Sequence, residues 1–171
     1  SDVAAIQDVW LMSGDGTNLA NLTATGHAHG SPSWSPDGSQ ILFSSQRDLN
    51  WEIYVMGPQG QNPRNLTNNP ARDTVAVWSP DGNHIAFRSD RDGNQEIYTM
   101  AVDGNDLQNV TQTSESDESV FAWSPDSQAL LIVSDPGTNS DIYWVRRDGS
   151  GRANLTNHPD SDVAPIWISA P

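Results

Sequence analysis

Cysteine is missing from the chain altogether. Disulfide staples and thiolate metal sites are therefore outside its chemistry, although this absence suits a reducing and an oxidising compartment equally. Positive charge is scarce: 8 Lys and Arg stand against 22 Asp and Glu, a formal net charge of −14. A field of that sign repels phosphate backbones and anionic membrane surfaces, which argues against nucleic acid as a partner. There is no apolar run of membrane-spanning length, so no membrane insertion is expected. The first residues carry neither a basic start nor an apolar stretch, so no signal peptide begins here. A first residue other than Met suggests a processed or excised chain.

What the chain does have is rhythm. Acidic clusters alternate with short β-branched and aromatic runs, which argues against disorder, and 7 Trp in 171 residues call for organised packing. Trp34, Trp78, Trp123 and Trp167 are spaced 44, 45 and 44 residues apart. Three of them lead into a turn, Ser35–Gly38, Ser79–Gly82 and Ser124–Ser127, in which Pro presets one backbone angle and Asp-Gly suits the rest. A β-rich run follows at Ile41, Ile85 and Leu130, and a further strand at Asp8, Glu52, Glu96 and Asp141. A second turn and a short strand ending in Leu-Thr or Val-Thr complete each unit. Four short strands joined by turns, with no room for a helix, predict a β-propeller blade.

The motifs WSPDG at Trp78, IAFRS at Ile85, RDGN at Arg91, IYTM at Ile97, Asp103-Gly104 and Val110-Thr111 resemble those of the TolB-like, WD40-like PD40 repeat family. The resemblance runs along essentially the whole chain. It implies an all-β propeller of four-stranded antiparallel blades, of a kind that serves in its relatives as a protein-docking module, a substrate gate in peptidases or a ligand-binding domain, and a periplasmic or extracellular setting.

Strand counting predicts one domain over residues 1–171 with four blades. Three are complete. The fourth would take its innermost strand from Val163–Ile168, its outer strands from Val9–Met12 and about Leu19–Leu22, and its second strand from Asp2–Ala5 if anywhere. Closing the ring with both termini would hide edge strands. Two other arrangements fit the same count: a ring-closing homodimer, or part of a longer propeller. Trp34, Trp78, Trp123 and Trp167 should pack between blades, and Tyr54, Tyr98, Tyr143 and Trp10 should lie in the core.

Five positions before each repeated Trp stand His29, Asp73, Glu118 and Asp162, with Asp2 in an N-terminal echo of the same segment. At the start of the innermost strand these residues would ring the axial channel, where converging carboxylates could hold Ca²⁺ or Mg²⁺. The bland reading is an acid that caps a turn once per repeat. His27 and His29 flank Ala28 and suggest a weaker zinc pair. The Asp-Arg-Asp-Gly-Asn loop at Asp90 has alternating oxygen ligands, yet its recurrence favours bonding to the local backbone. Asn21, Asn65, Asn109 and Asn154 form sequons at one repeat position, so they count as a single feature of the repeat.

Left outside the repeat are Trp51 and Trp144, the latter next to Arg146 and Arg147. An off-register aromatic beside Arg suits a sugar platform or a protein anchor. No serine-hydrolase, P-loop or dinucleotide motif is present. The expected function is a binding module for a protein or glycan partner. A structural protein that assembles a larger propeller, and a carboxylate-dependent glycan hydrolase or lyase, are the alternatives.

Overall fold

The computed structural model describes residues 7–114, 117–137 and 139–168, without the side chains of Asp117 and Val120. Every described element is a β-strand. The chain divides into two compact units, Ser1–Val77 and Trp78–Pro171.

The first unit opens with a two-stranded sheet of β1 (Trp10–Leu11) and β2 (Ala20–Asn21). Blade 1 follows in meander order: β3 (His29–Trp34), β4 (Ile41–Ser45), β5 (Glu52–Met56) and β6 (Arg64–Asn65). Its two middle strands are buried along their whole length, so ILFSS and EIYVM show no in–out alternation. Val9, Ile41, Phe43, Tyr54 and Met56 form one cluster with Leu22 packed against it.

Blade 2 consists of β7 (Asp73–Trp78), β8 (His84–Ser89), β9 (Glu96–Ala101) and β10 (Gln108–Asn109); the division between units falls at the end of β7. Blade 3 consists of β11 (Asp117–Trp123), β12 (Ala129–Asp135), β13 (Asp141–Arg146) and β14 (Ala153–Asn154). Ile85, Phe87, Ile97, Met100, Leu130 and Ile132 fill the cores of these two blades.

Two backbone features recur with the period of the sequence. The amide of each inner-strand first residue donates to a carbonyl of the preceding repeat: His29 to Gln7, Asp73 to Trp51, Glu118 to Gln95 and Asp162 to Ser140, all at 2.7–2.8 Å. Two residues later the backbone enters the left-handed region at Ser31, Val75 and Ala164 (φ 50°, 52° and 56°). The pairing of β3 with β4 slips at this point, between Gly30 and Ser33, as a bulge does.

The fourth blade is not assembled among the described residues. β1 and β2 pair with each other alone, and residues 162–168 join no ladder, although Asp162 keeps the backbone hydrogen bond, a clasp to the preceding loop, and Ala164 the left-handed φ of an inner strand. In each complete blade the inner strand pairs with the second strand; the fourth blade's candidate for that strand, Asp2–Ala5, lies outside the described residues.

Two expectations about the aromatics are corrected. Trp10 is 55% exposed and Trp34 is 47% exposed, whereas Tyr54 and Trp123 are buried. Tyr54 packs on Phe43 of a second strand, and Trp123 lies 6.5 Å from His84, also on a second strand. Among the described residues, the β1–β2 sheet has no second strand for either tryptophan to pack on.

Candidate functional site

Each blade is knitted by one repeated polar network. In blades 1 and 2 a carboxylate at the start of the third strand takes the hydroxyl of the Thr just past the fourth, Glu52 from Thr67 and Glu96 from Thr111, and Asp8 before β1 takes that of Thr23 after β2. Those threonines in turn accept the amides of Ile53, Ile97 and Val9. The loop asparagines Asn50, Asn94 and Asn139 donate Nδ2 to this carboxylate and to carbonyls 19–21 residues further on. The Asp-rich loop is thus fastened to the next connection, and its Asn is committed to backbone.

The sequon asparagines are also engaged. Their Oδ1 atoms accept the Thr amide two residues on, and their Nδ2 atoms donate to Asp8, Asp48, Asp92 and Asp141.

Over this frame, blades 1 and 2 carry a second motif. Arg47 lies 4.6 Å from the centre of the Tyr54 ring and its Nε reaches Ser45 at 3.1 Å; Arg91 lies 4.7 Å from Tyr98 and reaches Ser89 at 2.9 Å. The Tyr54 and Tyr98 hydroxyls donate to Asp48 and Asp92. Burial first, then the Asp48 carboxylate, pushes the Tyr54 phenol up to about 12.

Blade 3 departs from this motif. Pro136 and Gly137 occupy the Arg and Asp positions. The guanidinium is supplied instead by Arg152, which lies 4.4 Å from the Tyr143 ring centre and donates to Ser134 at 2.8 Å. The sequence reading overlooked Arg152. The missing Arg in the blade 3 loop was the signal that another cation had to serve its ring and its serine.

The expected channel residues lie as follows. Asp2 is outside the described residues. His29 is buried, with Nε2 2.8 Å from Thr25 Oγ1; burial first, then Arg47, pulls its imidazole below the usual range. Asp73 is fully buried on β7. Glu118 is fully buried, and its Oε1 accepts from Arg152 (3.1 Å), Ser134 and Thr113, yet burial still pushes its carboxyl up. Among the described residues, His29 Nδ1, Glu118 Oε2 and Asp162 Oδ2 are each buried without a hydrogen-bond partner. Among the described residues, no group of three or more His, Asp or Glu side chains is arranged to hold a metal ion. His27 is exposed where His29 is buried, so the pair does not share one environment.

The expected ligand-binding residues separate. Trp51 is half-buried, and its carbonyl takes the Asp73 amide. Trp144 and Arg146 come together: the guanidinium lies 5.2 Å from the indole, and with Trp167, Pro125 and Ala129 they line a mainly apolar cleft of 360 Å³. Trp167 is held there by its Nε1, which donates to the Ala122 carbonyl at 3.1 Å. Gly151 admits the stack, since a Cβ there would stand 2.7 Å from Arg146 and 3.1 Å from Trp144. Arg147 faces elsewhere, toward His84, in a 780 Å³ cleft that Arg146 also borders. Burial first, then Arg147, lowers the His84 pKa.

Two further clefts open beside the Asp-rich loops of this unit. One, of 540 Å³, is lined by Asp92, Asn94, Glu96 and Asn109; the other, of 360 Å³, by Pro136, Asn139, Asp141, Tyr143 and Arg152. Thr113 borders both.

With this geometry in hand, the chain can be set beside known proteins. Comparison with curated proteins gives no match. Among solved structures, a protein assigned as TolB from Agrobacterium tumefaciens superposes with a TM-score of 0.74 at 24% identity, over 91% of this chain and 58% of that one. TolB from Acinetobacter baumannii gives 0.72 at 24% identity, over 87% of this chain and 37% of that one. A chain of a nidogen–laminin complex gives 0.67 at 16% identity, over 86% and 56%. The chain thus spans about six tenths and four tenths of the two TolB structures. The model of the TolB beta propeller domain (PD40) matches residues 6–121, and the chain belongs to that family.

Proposed function

We propose that the chain is a non-catalytic binding module whose partner is a protein, docked on the cleft of Trp144, Arg146 and Trp167. The observation that carries this reading is a Trp outside the repeat, stacked beside Arg146 and opening on a mainly apolar cleft in an otherwise acidic molecule. Trp and Arg in a partly desolvated pocket are the residue types that anchor protein partners. Support of a general kind comes from the family, and from a structural neighbour that is by name part of a protein complex. The envelope or extracellular setting expected from the family belongs to the same reading.

The test is a photo-crosslinking residue placed at Arg146 in the full chain, in its source cells, with exposed Leu49 as the control position. The reading requires a discrete protein adduct at 146 that is absent at 49 and is lost in Trp144→Ala. Adducts of equal pattern at both positions defeat it. Calcium-dependent capture of a glycan, abolished by EDTA, would move the function to the carbohydrate alternative.

A second reading is favoured by one position. Thr99 is the counterpart of Trp144 in blade 2, and it is buried with its hydroxyl on the Arg147 carbonyl of the following blade. Trp144 therefore stands where a further blade would pack, which suits an assembly role. Native mass spectrometry decides it: an oligomer that Trp144→Glu dissociates supports assembly, and a monomer at high micromolar concentration removes it. Run with and without EDTA, the same measurement tests the divalent cation expected at the channel positions, for which the unpartnered Glu118 Oε2 and Asp162 Oδ2 of the second unit are the support.

A further inference from the structure

The three complete blades act as internal controls for one another, and they disagree at one atom group. In blades 1 and 2, a carboxylate (Asp48, Asp92) accepts the tyrosine hydroxyl and also the sequon asparagine Nδ2, at 2.9 and 2.8 Å. A guanidinium covers the same ring. Blade 3 retains the tyrosine (Tyr143) and the asparagine (Asn154), and it recovers the guanidinium from Arg152. It does not recover the carboxylate. Gly137 stands in the Asp position, and no described residue accepts the Tyr143 hydroxyl proton. Arg152 has five N–H donors, of which the bonds to Thr111, Glu118 and Ser134 engage three. Two donors of the motif, the Tyr143 hydroxyl and the guanidinium, thus survive around the 360 Å³ cleft that Tyr143 and Arg152 line, while the Asn154 amide has turned to Asp141 and the Asp acceptor is deleted.

We propose that this cleft binds a ligand carboxylate, in the place that Asp48 and Asp92 fill in the other blades, and that the ligand is a peptide presenting an acidic side chain or its C-terminus.

The electrostatics permit it by precedent. Three acids lie about the site, one of them Asp135, whose Oδ1 accepts the Gly137 amide at 2.7 Å as part of the loop itself. Asp141 is occupied by Asn139 and Asn154, and Glu118 is paired with Arg152. Blade 2 holds Asp92 beside Glu96 and a single Arg91, so the same fold seats one more negative charge in the equivalent surroundings. There the Tyr98 hydroxyl, more than any other group, keeps the Asp92 carboxyl below its usual range. A ligand carboxylate would gain the same charge-assisted bond from Tyr143. A peptide is favoured over a polyuronate because a chain of net charge −14 repels each further anion, while Pro136 and the Tyr143 ring offer apolar surface beside the charge.

This site shares no lining side chain with the Trp144 cleft, so it fails or stands independently of the docking proposed there. The probe is N-acetylglycine, with N-acetylglycinamide as its uncharged match, titrated into the full chain and followed by NMR. Saturable millimolar shifts at Tyr143 and the Arg152 Nε–H are expected with the acid. The amide, and the acid on Tyr143→Phe, should bind at least about tenfold more weakly, since each loses a hydrogen bond to a charged group. The double substitution Gly137→Asp with Thr138→Gly restores the Asp-Gly-Asn of the blade 2 loop, with Arg152 still serving in place of Arg91, and should abolish the response by filling the place from within. Equal binding of acid and amide overturns the proposal, as does undiminished binding by Tyr143→Phe. A galacturonate trimer that binds more tightly than N-acetylglycine overturns the peptide assignment.

Discussion

Among single residues, the buried titratable groups set opposing pH trends. His29 sits below its ordinary 6.5 because burial and Arg47 disfavour the imidazolium. Its contribution to stability is complete above that value and is lost as pH falls through the lowered folded-state pKa. Glu118 runs the other way. Burial raises its carboxyl above 4.5, so stability is greatest below that value and declines as pH rises through the raised pKa. Thermal melts as a function of pH should show His29→Asn flattening the loss below pH 6.5, and Glu118→Gln flattening the decline that starts near 4.5. It is the slope that reports, since Glu118→Gln also weakens the bond to Arg152. Val75 is a separate case: it is 43% exposed and β-branched, yet holds φ 52° where its counterparts are Ser31 and Ala164. Left-handed backbone costs an ordinary residue about 1–2 kcal/mol, and Asn tolerates it better. Val75→Asn should therefore raise stability by about 1 kcal/mol in chemical denaturation.

At the level of elements, the Ser-Pro-Asp turn explains why each blade holds its first two strands in register. The Ser35, Ser79 and Ser124 hydroxyls donate to Asp37, Asp81 and Asp126 and accept amides at the start of the second strand. The Ser35 hydroxyl and the Ser39 amide hold the exposed Asp37 carboxyl at about 2. Ser79 is fully buried, so Ser79→Ala leaves an acceptor and a donor without their partner. It should cost about 2 kcal/mol, read as a lowered denaturation midpoint at unchanged m-value. One departure from the turn has a local cause. Ser127 replaces the glycine of the other two turns at φ 61°, and its Oγ accepts the Asp81 amide of the neighbouring blade at 3.0 Å. The turns, the strand order and the clasp positions were legible in the sequence because each recurs and each has a short-range cause. The cover over Tyr143 was not legible, since Arg152 comes from a different connection of the blade and reaches the ring only once β13 and β14 have paired.

For the whole molecule, charge dominates. A net charge of −14, with few ion pairs described, makes self-repulsion outweigh local pairing. Screening shortens the Debye length from about 30 Å at 0.01 M salt to about 8 Å at 0.15 M. The melting temperature should therefore rise by about a few degrees over that range in a differential scanning experiment. A fall would mean that pairs such as Arg152–Glu118 carry more than the repulsion does. The sequence by itself determined the all-β propeller family and the strand plan of the blades, because turn chemistry and a 44–45-residue period are local and repeated. It also picked out Trp144 and Arg146, which break the period. Only the tertiary structure decided which of the leftover residues meet. It joined Trp144 and Arg146 to Trp167, sent Arg147 toward His84, and left Trp10 and Trp34 exposed. It also placed Arg152 over Tyr143 with no carboxylate to complete the motif. Those outcomes depend on contacts between residues distant in sequence, which a local period does not encode.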